Sequence, residues 1–241
     1  MPFGICDLSV IPIRKEPSHT SEMVSQLLFN ELYEKLDQKD SWILIRTEID
    51  HYEGWIQGIQ FHPISDQDYL ELKGKKWYIL NTPIFNYQGR HLSLGTLLYE
   101  PNDFATEFPS EFSPVAMVDF ARKMLGVPYL WGGRSLFGID CSGFVQLCAR
   151  AAGKLLPRDA SEQVKEGELV YFLPEIKAGD LAFFGNEEGR IVHVGMMLDV
   201  EHIIHASGQV RIDYLDQTGI YNKEKGLHTH QLLVIKRLFQ R

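Results

Sequence analysis

One cysteine and two histidines are the residues best placed to do chemistry together. Cys141 lies in Asp140-Cys141-Ser142-Gly143-Phe144, shortly after Gly132-Gly133. Behind it, Phe144, Leu147, Cys148 and Ala151 recur at helical spacing, and Gly153 follows as a residue past a helix end does. A helix therefore starts at Asp140 or Cys141, where free N–H groups and the positive end of the dipole favour a thiolate. A lone cysteine is more often a small buried hydrophobe; His193 and His205 reverse that balance. Residues 191–198 and 203–208 read as strands joined by a polar turn near Asp199. A hairpin symmetric about residue 199 sets 193 directly opposite 205 on one face, with Cβ atoms about 5 Å apart. A slip of one residue would put the two rings on opposite faces. In this reading His193 forms a thiolate–imidazolium pair with Cys141 and later protonates a leaving amine. His205 holds the His193 ring in its productive tautomer. The backbone N–H of Cys141 and the Tyr129 hydroxyl would serve the oxyanion, and Tyr129 and Trp131 are placed to wall a cleft.

The elements that must position these groups are legible in outline. Ser113 suits an N-cap and Pro114 the first helical position. Met117, Phe120, Ala121, Met124 and Leu125 form one apolar face, and Gly126 follows the helix. A turn at 177–180 and strands at 181–185, 191–198, 203–208 and 231–239 complete an α+β layout, helices packed on an antiparallel sheet. Ahead of it, residues 1–60 read as short strands at 8–13, 31–36, 42–47 and 54–59, separated by turns at 15–21 and 37–41. A small barrel closes such strands. Strands are expected at 77–80 and 92–99 and a loop at 101–109. The expected domains are thus 1–60, then 61–112 as a second reduced unit or a linker, then 113–241.

Composition narrows the classes. The 241 residues carry a net charge of −8 and no basic run, which argues against nucleic acid as a partner. Three cysteines make no disulfide framework. Cys141 and Cys148 stand about 10 Å apart along one helix, too far to bridge. No signal-like leader and no apolar run near ~20 residues are visible, so a cytoplasmic protein without a membrane partner is expected; a monomer is expected as well. No cofactor is implied. A zinc site on Cys141, His193 and His205 lacks any CxxC or HxxxH spacing.

Several linked segments carry a resemblance. YLWGG, DCSGFVQ, PRDASEQ, AGDLAFF, VHVGMML and IIHASG, within residues 115–241, resemble the NlpC-type papain-like cysteine peptidases of bacterial cell-wall metabolism. RKEPSHTSEMVSQLLFNE and DHYEGWI, within the first 60 residues, resemble a bacterial SH3-like domain. The resemblance implies a papain-like catalytic domain behind an SH3-like barrel, with Cys141 as nucleophile, His193 as base and His205 as third member. The whole is similar to γ-D-glutamyl-L-diamino-acid endopeptidases, also called dipeptidyl-peptidase VI. The implied substrate is a murein tri- or tetrapeptide with a free N-terminal L-alanine, cut between D-glutamate and diaminopimelate or lysine. The implied ammonium ligands are Asp159, Tyr52 and Glu22, with the front domain closing one end of the cleft. Asp140 and Ser142 flank the nucleophile as further substrate contacts, and Arg134 is a candidate for the D-glutamate carboxylate. Each has a plainer reading: a helix cap for Asp159, surface residues for Tyr52 and Glu22, a solvated loop for Arg134. Ala160 stands where the family often has a serine. His202 faces away from His205 and reads as structural; His51, His62, His228 and His230 carry no signal. The competing function is an inactive murein-binding protein.

Overall fold

The computed structural model describes residues 1–239. They divide into two compact units. The first is Met1–Phe108 with Leu130–Gly138; the second is Pro109–Tyr129 with the chain from Ile139 onward. The short stretch Leu130–Gly138 thus counts with the first unit, although the sequence expectation ran the second domain unbroken from 113.

In the first unit β1 (Phe3–Ile5), β2 (Val10–Arg14), β3 (Met23–Leu28), β4 (Leu32–Lys39), β5 (Trp42–Thr47), β6 (Glu53–Gln57) and β7 (Pro63–Ile64) form one antiparallel sheet. Its order is β3-β2-β6-β5-β4-β1-β7. The sheet encloses Cys6, Ile11, Ile13, Leu27, Tyr33, Ile43, Ile45 and Ile56. Bulges at Ile13/Arg14 and between Lys35 and Asp37 supply the added twist that lets so small a sheet curl. The 42–47 strand falls as expected, and those at 8–13, 31–36 and 54–59 shift by one to three residues at an end. β3 was not foreseen, because Ser25 and Gln26 are buried within it and erase the alternation.

Residues 61–108 add α1 (Asp66–Lys73), capped by Ser65. They also add β8 (Tyr78–Leu80), β9 (Ile84–Tyr87), β10 (Arg90–Ser93), β11 (Leu97–Leu98) and β12 (Ala105–Glu107). These share a small core of Phe29, Leu80, Leu92 and Leu98. Helix α1 buries only Tyr69, so it shows no apolar stripe. The strand expected at 92–99 is broken in two at Gly95, whose φ is +84°. The loop expected at 101–109 contains β12.

In the second unit Ser113 caps α2 (Pro114–Arg122), its hydroxyl accepting from the Ala116 N–H. The two-residue strand β13 (Arg134–Ser135) belongs to the first unit, and β14 (Gly138–Ile139) falls on the division just before α3 (Cys141–Ala151). Every residue of α3 from Cys141 to Arg150 is buried. After the short α4 (Ala160–Gln163) come β15 (Glu168–Val170), β16 (Leu181–Gly185), β17 (Ile191–Met197), β18 (His202–Ser207), β19 (Gln209–Leu215), β20 (Gly219–Asn222) and β21 (Leu227–Arg237). The sheet order is β15-β21-β16-β17-β18-β19-β20, and β21 pairs again with β20. That second pairing closes six strands into a barrel, filled by residues such as Phe184, Met197, Ile203, Leu215 and Ile235. Helix α3 packs on β17 and β18, which brings its start to the histidine strands. The class is α+β as expected, mostly β with a few helices.

Candidate active site

Helix α3 begins on a charged clamp. Asp140 is the N-cap, and its Oδ1 accepts from the Gly143 N–H at 2.7 Å. Arg158 donates to both Asp140 oxygens, with Nη1 3.1 Å from Oδ1, and to the Ser142 hydroxyl at 2.8 Å. Gln163 ties the same segment down, its Nε2 donating to the carbonyls of Ser142 and Pro157 at 3.0 and 2.9 Å. Asp140 and Ser142, expected as substrate contacts, thus have side chains bonded to groups that hold the helix start. Arg158 was missed: an arginine beside the candidate ligand Asp159 reads as solvated, yet it is 2% exposed.

Cys141 opens the first turn, 6% exposed. Burial pushes its thiol up to about 11, and the charge of Asp140 adds to this. The N–H groups of Val194 and Ser142 and the charge of Arg158 oppose it without prevailing. The Val194 amide at the sulfur places Cys141 one residue from His193.

The two histidines meet, though by a different register. Gly195 pairs with His205, Met196 with Ile204 and Met197 with Ile203. The hairpin is centred on residue 200 rather than 199. The Asp199 carboxylate accepts from the N–H groups of Glu201 and His202 and shapes a three-residue turn. Its outer pair is closed by the Leu198 N–H to the His202 carbonyl. His193 is thus diagonal to His205, not opposite it. The shift moves one partner by two residues, so both side chains stay on one face. Diagonal neighbours lie within reach of ring side chains, and Nε2 of His193 is 2.9 Å from Nδ1 of His205. Gly195 makes room for this: a Cβ there would lie 2.8 Å from His205 Cβ. His202 points away and bonds Asp199 at 2.9 Å, as the sequence suggested.

Two further residues belong to the cluster. Asp213 on β19 accepts from Nε2 of His205 at 3.1 Å. His230 on β21 stacks on His193, centroids 4.2 Å apart and planes 25° from parallel. Asp213 had a signal: it alternates with the apolar Ile212 and Tyr214, so one set must face inward. His230 had none that stands out, because Thr229 and His230 are polar and the alternation of β21 begins only at His230. Burial pushes His193 well below its ordinary value, with the charges of His205 and His230 adding. Burial thus pushes both groups toward their neutral forms, the opposite direction from the expected thiolate–imidazolium pair. Burial, then the charges of Cys141 and Asp140, also raises Tyr129, so its phenol stays protonated and can donate.

The remaining predicted residues divide between the units. Asp159 is exposed at the N-terminus of α4, and its side chain makes no capping bond there. In the first unit Trp131 is 56% exposed and its Nε1 donates to Glu22 at 2.7 Å. Tyr52 is partly buried, its N–H donating to the Thr47 hydroxyl at 2.8 Å. Arg134 is not a solvated loop residue, and the carboxylate it meets is that of Glu31. It is 2% exposed, pairs with Glu31 at 2.9 and 3.1 Å and donates to the Gln26 carbonyl at 2.6 Å. Among the described residues no group of three or more His, Cys, Asp or Glu has the arrangement of a metal site.

Chemically, the cluster offers a thiol, an imidazole base, a chain of groups orienting that base, and a phenol donor. Residues 126–229 match the model of the NlpC/P60 family, and residues 13–58 match the bacterial dipeptidyl-peptidase Sh3 domain. A Bacillus subtilis (strain 168) protein named gamma-D-glutamyl-L-lysine dipeptidyl-peptidase is 47% identical over 105 residues, 42% of this chain and 35% of that one. A Haemophilus influenzae protein named probable endopeptidase is 32% identical over 130 residues, 51% of this chain and 80% of that one. The chain spans about a third of the length of the first curated relatives it matches. A solved NlpC/P60 family protein from Bacillus cereus ATCC 10987 superposes with a TM-score of 0.82 at 17% identity, over 99% of this chain and 100% of that one. That likeness is one of fold.

Proposed function

Since the chain belongs to the NlpC/P60 family, we propose that it is a cysteine peptidase that cuts murein peptides between γ-D-glutamate and the diamino acid. The observation that carries this is the buried contact of 2.9 Å between His193 and His205 beside Cys141. The reaction runs in two halves. Sulfur attacks the γ-carbonyl as the thiol proton passes to His193, and the Cys141 N–H and Tyr129 O–H stabilise the oxyanion. Collapse breaks the C–N bond, and His193 returns the proton to the leaving amine. A thioester then joins Cys141 to the dipeptide. Water, deprotonated by His193, hydrolyses it and restores the thiol.

The finer proposal is that the enzyme releases L-Ala-γ-D-Glu from free tri- and tetrapeptides during cell-wall recycling in the cytoplasm, acting as a monomer. The name of the Bacillus subtilis relative supports the bond chosen. Asp159, exposed on the unit that carries Cys141, would accept from the free alanine ammonium. The parts given to Tyr52 and Glu22 rest on their sequence resemblance. An exposed carboxylate discriminates by the charge-assisted hydrogen bond it gains, about 1.5–3 kcal/mol.

The test is incubation with L-Ala-γ-D-Glu-diaminopimelate, its lysine counterpart and the N-acetylated form of each, followed by mass spectrometry. Release of L-Ala-γ-D-Glu from the free peptides alone is expected, with Cys141→Ala and His193→Ala inactive and Cys148→Ala active. Binding without cleavage would instead fit an inactive murein-binding protein. Equal turnover of acetylated and free peptides would remove the ammonium site and leave the peptidase.

A further inference from the structure

We propose that Asp213 is a positioning residue that sets the tautomers of both histidines and so turns the basic nitrogen of His193 toward Cys141. The inference rests on the reading of Cys141 as nucleophile and His193 as base. Its geometry is nearly symmetric about His205. On one side His205 pairs with Gly195, and the diagonal neighbour His193 reaches its Nδ1. On the other side His205 pairs with Arg211, and the diagonal neighbour Asp213 reaches its Nε2. Three side chains on three adjacent strands thus form one line of polar contacts.

The direction of that line follows from Asp213. Arg211 donates to it from Nη2 to Oδ1 at 3.1 Å, and its Nε lies 2.8 Å from Oδ2 as a charge contact. Burial pushes the carboxyl up, but the bonds from His205 and Arg211 outweigh it and hold the group below the ordinary carboxylate range. An ionised carboxylate only accepts. Nε2 of His205, 3.1 Å away, must therefore carry the hydrogen. In the neutral ring this leaves Nδ1 of His205 as an acceptor. Nε2 of His193, 2.9 Å from it, must then donate. The remaining nitrogen of His193, Nδ1, keeps its lone pair and is the base. Reversing any link would put a hydrogen on Nδ1 and disable it.

Burial argues that the carboxylate does more than hold Arg211. Asp213 is 5% exposed, whereas its strand neighbours Ile212 and Tyr214 are 37% and 42% exposed. The strand turns apolar side chains out and a charge in, a costly inversion unless the charge is well bonded. Arg211 is itself tethered outward to Glu224 at 3.1 Å.

The test uses the full chain, labelled with 15N, and two-bond 1H–15N correlation of the histidine rings at pH 7. The unmodified protein should show His205 and His193 each as the single Nε2–H tautomer. In Asp213→Ala a share of Nδ1–H should appear on His205. On the tripeptide, kcat should fall about ten- to hundredfold with KM within about twofold, as when a group that orients another is lost. His205 found as Nδ1–H in the unmodified chain would overturn the proposal, and needs no variant to fold. So would unchanged tautomers in Asp213→Ala, whatever its rate, or an unchanged kcat. If the unmodified chain cleaves no murein peptide, the proposed reaction falls, and the ring spectra still decide the role of Asp213.

Discussion

Two buried arginine–carboxylate pairs, one in each unit, are alike in chemistry and unlike in consequence. Arg134 meets Glu31 in the first unit, and Arg158 meets Asp140 in the second. Both arginines are 2% exposed. The Arg134 pair joins the 130–138 stretch to the carbonyl of Gln26 in β3 and to the residue before β4. The Arg158 pair is built on the residue that caps α3, one position before Cys141. Asp140 raises the thiol and Arg158 lowers it, so both charges act on the sulfur. The same bond is a staple in one place and part of the surroundings of the Cys141 sulfur in the other.

Removing each arginine tests this contrast most strongly. Arg134→Met and Arg158→Met should each destabilise by about 3–5 kcal/mol, because each strips a buried carboxylate of its arginine. Denaturant unfolding measures the loss. Only Arg158→Met should also slow iodoacetamide alkylation of Cys141, since it removes a charge that lowers the thiol. Equal alkylation rates in the two variants would erase the distinction. Replacing both partners, Arg134→Met with Glu31→Leu, should recover most of the lost stability.

A smaller effect sharpens the second half of the comparison. With the thiol near 11, alkylation of Cys141 should climb steadily through the alkaline range. Asp140→Asn keeps a capping side chain but removes the like charge. Its alkylation at pH 8 should be faster, on the order of a few-fold. A rate already at its plateau in mild acid would show a thiolate–imidazolium pair at rest, against the neutral forms that burial favours. Cys148, fully buried, should stay unmodified throughout.

The smallest effect concerns acid. His19, His51, His62 and His91 of the first unit are all exposed, while His193 and His205 of the second are buried. Burial, then the charge of His205, lowers His230 to about 4, and His193 lies well below its usual value. Between about 4 and 6.5 the unfolded chain binds protons that the folded chain refuses. Stability is therefore full above 6.5 and lost as pH falls toward 4. Hydrogen exchange should show the second unit loosening first. His230→Phe, which keeps a ring on His193, should lose fewer degrees of Tm between pH 7 and pH 5.

What was legible in the sequence follows from period and from capping. Helix α3 stood out because its apolar spacing begins at a capping aspartate, and the histidines stood out because strand alternation gave them a common face. The register was misjudged because Asp199 sets it through its own hydrogen bonds to the turn, which no period reveals. The internal bonds of Arg134, Asp140 and Ser142 are not legible, because a polar residue beside a reactive cysteine looks the same whether it turns outward or inward. Arg158 and Gln163, which decide that question for Asp140 and Ser142, lie 16 to 23 positions further along the chain.

Strand β21 has a bearing on how the molecule is made. It pairs with β15, β16 and β20, and it follows all of them in the chain. Until it emerges from the ribosome, β16 and β20 each present a bare edge, and His193 lacks the ring of His230 at its face. During that interval the growing chain resembles an open sheet with two adhesive borders, able to pair with a neighbouring nascent copy. A truncation before Leu227 would make that interval permanent. Such fragments should collect as aggregates in the cell, while the complete strand seals both borders at once.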